Sequence, residues 1–171
     1  DVPHGSVREE LFFSSVTGEW ERCMVYTPAV YETEPERRFP VLYLQHGHGE
    51  NEIGWIHSGK ANLILDNLIA EEKAVPFIIV MSNGMVQKVT EDGERLVDFH
   101  LLSDQLINDI IPFIDRRFRT LTDRRSRALA GLSMGSLQTS MIGFRHPELF
   151  ESLGVFSGFV RDFITGSPLD Q

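Results

Sequence analysis

From Val41 onward, short apolar runs alternate with stretches whose apolar residues recur at helical spacing, and this alternation restricts the fold more than any other feature. Val41-Leu42-Tyr43-Leu44-Gln45 and Phe77-Ile78-Ile79-Val80-Met81 are almost unbroken apolar runs, as expected of strands covered on both faces of a sheet. Between them, Ala61, Ile64, Leu65, Leu68 and Ile69 put one buried stripe on a helix over Lys60 to Glu72. Leu106, Ile107, Ile110, Ile111, Ile114 and Phe118 make a second helical face. Pro112 falls inside it, where the missing backbone donor predicts a kink. A third strand is expected over Ser126 to Leu132, a helix over Ser136 to Phe144, and a fourth buried strand over Glu151 to Ser157. Strands and helices in strict alternation imply a mostly parallel sheet flanked by helices. Ahead of it, Arg8 to Ser15 and Trp20 to Pro28 are β-rich and separated by Val16-Thr17-Gly18-Glu19, which predicts an antiparallel N-terminal hairpin. Tyr31 to Arg38, His46 to Gly59 and Val86 to Val97 read as a polar connector, a glycine-rich loop and a surface excursion.

With 171 residues, 42% of them hydrophobic and 24% charged, the chain is expected to form one globular domain over residues 1–171. Its net charge of -9 argues against a nucleic-acid partner, whose phosphates would repel it. No window approaches the roughly 18 consecutive apolar residues that a membrane span needs, so no membrane partner is expected. A single cysteine, Cys23, leaves no internal disulfide and no cysteine-built metal site. The first residue is Asp1 rather than Met, as in a processed or excised piece, and trimming and signal removal account for that equally. Compartment stays open, with secretion favoured over the cytoplasm.

Gly131-Leu132-Ser133-Met134-Gly135 fits G-x-S-x-G. Alone the motif is a modest signal. Its position at the junction of an expected strand and an expected helix strengthens it. A nucleophilic serine must stand clear of the sheet on a sharp, strained turn, and side chains at 131 and 135 would collide with the neighbouring backbone. The competing reading makes Ser133 an ordinary helix N-cap. As a nucleophile it needs donors aimed at the oxyanion of a tetrahedral intermediate. One is the Met134 N–H, at the positive end of the following helix. The other is expected from His46-Gly47-His48-Gly49, with the His48 N–H first and Gly49 in reserve. The His46 side chain is read as packing beneath the loop rather than as a base. A His46/His48 metal pair is weak, since no acidic or cysteine partner stands at a matching spacing.

Phe39-Pro40-Val41-Leu42-Tyr43-Leu44-Gln45-His46-Gly47, Trp55, Leu65-Asp66-Asn67-Leu68-Ile69-Ala70, Ile110-Ile111-Pro112-Phe113-Ile114, the Gly131–Gly135 block and His146-Pro147-Glu148-Leu149-Phe150 follow one another in an order that resembles the esterase D-like esterases. Within these the chain is most similar to carbohydrate esterase family one, the feruloyl and acetyl-xylan esterases. The resemblance covers nearly the whole chain. It departs at Ser136, where the family usually has glycine. It implies an α/β-hydrolase fold and ester hydrolysis through an acyl-serine, with no metal or organic cofactor. It matches Ser133 to the nucleophile and Met134 and His48 to the oxyanion donors. It makes His146 structural, at a helix end.

A serine needs a base oriented by an acid, and in this fold both follow it in the chain. After Ser133 the only histidine is His146; Asp162 and Asp170 are present, and neither fits the family's acid. The expectation is a chain holding the N-terminal and central part of the domain and lacking the C-terminal strands, acid and histidine. Recruitment of His48, His57 or His100 from upstream is the alternative. Leu153-Gly154-Val155-Phe156 would then be a bare apolar edge, to be covered by the absent segment or a dimer partner. Trp55 and Gly49 are the candidate substrate contacts, with the His57–Lys60 loop and Met85 nearby; Trp55 serves equally well as a packing residue. The expected substrate is a small-molecule or polysaccharide ester, feruloyl or acetyl. A siderophore-ester or thioester hydrolase, and an inactive fragment or binding module on the same scaffold, remain alternatives.

Overall fold

The computed structural model describes residues 2–158. Strands β1 (Ser6–Phe13) and β2 (Trp20–Thr27) form the hairpin, followed by a short helix α1 (Val30–Thr33). Then come β3 (Val41–Gln45), helices α2 (Gly54–His57) and α3 (Ala61–Ala70), and β4 (Ile78–Ser82). A separate two-stranded ribbon, β5 (Gln87–Val89) and β6 (Arg95–Val97), is the surface excursion. Helices α4 (Leu101–Gln105) and α5 (Ile111–Arg117) lead to β7 (Arg127–Leu132), α6 (Met134–Arg145) and β8 (Ser152–Phe156). The six-stranded sheet has the order β1-β2-β4-β3-β7-β8. β2 joins β4 antiparallel, and β4, β3, β7 and β8 run parallel. Among the described residues, no helix is long and apolar enough to cross a membrane.

Side-chain alternation along the strands divides the core in two. Val41, Tyr43, Ile78, Val80 and Leu129 point to one face, where Leu102, Leu106, Ile110, Ile111, Ile114 and Ile142 from α4 to α6 cover them. Leu44, Ile79, Met81 and Ala130 point to the other, where α3 lays Leu65 over them. Pro112 falls in the first turn of α5, directly after a π-helical turn at Leu106–Ile110. The expected interruption at Pro112, which has no backbone donor, thus coincides with one wide turn between two α-helical segments.

Two expectations about burial need correction. Ile64, assigned to the buried stripe of α3, is 53% exposed, because α3 is the one long helix among the described residues on its face of the sheet. β8 is a strand as expected but is not buried: Leu153, Val155 and Phe156 are 38–47% exposed, since it lies at the sheet edge. Conversely, Asp66 is buried on α3, where its carboxylate accepts from the Tyr26 hydroxyl (2.6 Å) and the Gly5 N–H (3.0 Å) and meets His4 Nδ1 (3.0 Å). This ties the start of the chain to the second core.

Cys23 is fully buried on β2, and desolvation, aided by the Glu10 and Glu52 carboxylates, pushes its thiol up to about 12. An unfolded thiol ionises near ~8.5, so above that pH the folded chain holds a proton that the unfolded chain has lost. Stability therefore declines as pH rises from about 8.5 towards about 12, at up to ~1.4 kcal/mol per pH unit. Urea titrations between roughly pH 8.5 and 10, below the range where unfolded tyrosines ionise, should show this slope in the native chain and a flatter one in Cys23→Ala. Equal slopes would contradict the assignment.

Candidate active site

β7 ends at Leu132 and α6 begins at Met134, so the whole reversal from strand to helix falls on Ser133. Its backbone sits at φ 53, ψ -111, where a residue with a Cβ is strained by about 1–3 kcal/mol. The surroundings hold it there. The Ser133 N–H donates to the Phe156 carbonyl on β8 (2.9 Å). The Ser133 carbonyl accepts from the Ser136 N–H (2.9 Å), the Leu137 N–H (3.1 Å) and Ser136 Oγ (2.5 Å). Ser136, where glycine was the usual residue, thus adds a bond to the turn. The N-cap reading fails: the Ser133 side chain makes no capping hydrogen bond, and its φ has the wrong sign for a cap.

The two flanking glycines have a steric cause. A Cβ on Gly131 would lie 2.3 Å from the Gly135 carbonyl, and one on Gly135 would lie 2.7 Å from the carbonyl oxygens of Gln45 and His46. The first turn of α6 therefore rests directly on the ends of β3 and β7. The loop after β3 crosses the same spot, since a Cβ on Gly47 would be 3.8 Å from Ser133 Cβ.

Of the two loop amides considered as donors, that of Gly49 is engaged with Met85 Sδ (3.4 Å), and Gly49 takes φ +81, natural only for glycine. His48 is exposed, its ring edge-on to Phe99 with centroids 6.0 Å apart. The Met134 N–H opens α6, where the helix dipole favours negative charge. His46 is buried, and both of its ring nitrogens are taken up within the protein, by the Gly47 carbonyl (2.7 Å) and the Gly84 N–H (2.9 Å).

Trp55 lies on α2, after the same loop. Its Nε1–H donates to the Gln45 carbonyl (2.9 Å) and its ring meets Phe156 edge-on, in an apolar groove of about 450 Å³ that Leu44, Ile64 and Leu68 also line. A second, polar cleft of about 430 Å³ is lined by Trp20, Arg22, Asn51, Asn83, Met85 and Arg95. Ser133 lines neither. Among the described residues no histidine is hydrogen-bonded to Ser133 Oγ: His4 is bound to Asp66, His46 to the loop and His146, at the end of α6, to Glu148. Asp162 and Asp170 lie outside the described residues.

Gln138 is the neighbour that sequence reasoning missed. Buried on α6, its Nε2 donates to the carbonyls of Gly84 (2.7 Å) and Phe99 (3.2 Å), tying the helix to the loops after β4 and β6. An amide among Met134, Met141 and Ile142 was the available signal.

A model of the Esterase family ("Putative esterase") matches residues 14–165. The endo-1,4-beta-xylanase/feruloyl esterase of Xylanibacter ruminicola is 42% identical over 161 residues, an alignment that takes in 92% of this chain and 22% of that protein. A solved ferulic acid esterase superposes with a TM-score of 0.78 at 28% identity, over 91% of this chain and 59% of that one. The CE1 ferulic acid esterase of Anaeromyces mucronatus, solved with ferulic acid, superposes with a TM-score of 0.83 at 24% identity, over 93% and 60%. The fold is that of the α/β-hydrolases, and the chain spans about three fifths of these solved structures.

Because the Gly135 contact is to backbone, which cannot swing aside, Gly135→Ala should cost on the order of 2–4 kcal/mol of stability. Chemical denaturation of the variant measures it. A loss below about 0.5 kcal/mol, the range of an ordinary surface change, would show that α6 is not seated as described.

Proposed function

The chain belongs to the Esterase family, and from that premise we propose that it carries the nucleophilic part of a serine carboxylic-ester hydrolase, with Ser133 as the nucleophile. One observation carries the proposal: a serine at φ 53, alone on a strand-to-helix turn, with the loop after β3 passing beside it at Gly47.

In this reading Ser133 Oγ attacks the ester carbonyl carbon while its proton passes to a base. The carbonyl π pair moves onto oxygen, and the Met134 and His48 N–H groups hold that oxyanion. Collapse expels the alcohol, which takes the proton back and leaves an acyl-serine; water repeats the sequence and releases the acid. Each step uses a hydroxyl, an amide or a proton, and the scheme calls on no cofactor. The base is a histidine held by a carboxylate, and by the resemblance both follow Ser133 in the order of the chain. The substrate class is a feruloyl or acetyl ester of plant polysaccharide, supported by the 42% identity to the xylanase/feruloyl esterase.

A fluorophosphonate probe should label Ser133 in a chain extended to the length of its solved relatives, and Ser133→Ala should remove the label. Labelling of the extended chain alone would mean that the base lies outside these 171 residues; labelling of neither would overturn the esterase reading. Rates on methyl ferulate, acetylated xylan, a siderophore ester and a thioester should rank the feruloyl or acetyl ester first, and a thioester in first place would reassign the substrate.

A further inference from the structure

The His46 side chain is buried, so every polar contact it makes is costly to lose. Its Nδ1 lies 2.7 Å from the carbonyl oxygen of Gly47, which can only accept. Its Nε2 lies 2.9 Å from the backbone nitrogen of Gly84, which can only donate. Both contacts demand the same form of the ring: neutral, with hydrogen on Nδ1 and a lone pair on Nε2. Asn83 Oδ1, at 3.2 Å from Nε2, is the one contact that would prefer the other tautomer. It is longer, and that oxygen already accepts from the Met85 N–H at 2.9 Å.

The Gly47 carbonyl belongs to the same peptide group as the His48 N–H. A trans peptide is planar, so fixing the carbonyl on the His46 side fixes the N–H in the opposite direction. The other end of the brace is equally firm. Gly84 donates to His46 through its N–H and accepts from Gln138 Nε2 through its carbonyl, at 2.7 Å. Gln138 sits on α6, the helix that Ser133 precedes by one residue. A continuous path therefore runs from α6 through Gln138, Gly84 and His46 to the Gly47–His48 peptide.

We infer that His46 is a positioning residue: in its Nδ1–H form it aims the His48 N–H, and Gln138 and Gly84 lock that aim to the helix that carries the serine turn. The inference rests on the reading of the His48 N–H as an oxyanion donor. Two conservative changes separate the halves of the brace. His46→Asn retains a donor near the Nδ1 position and gives up Gly84. His46→Gln retains an acceptor near the Nε2 position and gives up the Gly47 carbonyl.

The test has one arm that needs no activity. Long-range proton–nitrogen correlation on the histidine-labelled chain should show His46 neutral, protonated at Nδ1 and bare at Nε2. The His48 amide resonance should shift in His46→Gln and stay near its native position in His46→Asn. In a chain that reacts with fluorophosphonate, His46→Gln should slow labelling on the order of 100-fold, the effect of losing one oxyanion donor, and His46→Asn far less. A ring protonated at Nε2, or a His48 amide indifferent to His46→Gln, would overturn the inference. Absence of labelling in the native extended chain would instead overturn the esterase reading, with the spectroscopic arm still deciding the role of His46. If His46→Gln does not fold, the tautomer of the native chain decides.

Discussion

Two backbones in direct contact set the geometry of everything around Ser133. The first turn of α6 lies against the carbonyl oxygens of Gln45 and His46, and Gly131 leaves just enough room for Gly135. A helix seated that close cannot continue the path of β7, so the chain must reverse within one residue, and that residue takes a positive φ. The same seating brings the loop after β3 across the turn, because β3 and β7 are neighbours in register from Val41 to Gln45. Strain at one residue is thus the local result of close packing around it.

The parts of the fold legible in the sequence are those that obey a simple period. β3 and β4 are apolar up to their last residues, Gln45 and Ser82, because both of their faces meet core, and Leu106, Ile110 and Ile114 recur at helical spacing because one side of their helix meets the sheet. The serine turn was legible because glycine at 131 and 135 answers a steric demand that no other residue meets. Period failed where a residue's surroundings come from distant parts of the chain. Nothing local distinguishes the buried Leu65 from the exposed Ile64, and Leu153 to Phe156 look like an interior strand although β8 lies at the edge. Short helices such as α1 and α2 bury too little to leave a pattern. Gln138 and Asp66 were missed because their partners, Gly84, Gly5 and Tyr26, lie 40 or more residues away.

The two faces of the sheet differ in kind. Helices α4 to α6 close one face, where Ile110, Ile114 and Leu129 are fully buried. On the other, α3 covers Leu44 and Ile79 but leaves Trp55, Ile64 and Phe156 along an open groove. Leu153 and Val155 are also exposed but point to the opposite side of β8, towards α6, so that among the described residues the edge strand shows apolar side chains on both faces. The serine turn is tied to β8 through the Ser133 N–H bond to the Phe156 carbonyl, so the placement of that strand bears directly on the backbone at 133.

The positive φ at position 133 sets stability and chemistry against one another. Glycine, free of a Cβ, would occupy that conformation at ease and relieve the chain of its strain, but would have no oxygen to offer. Serine at 133 therefore holds an oxygen at the bend at the expense of a more comfortable backbone.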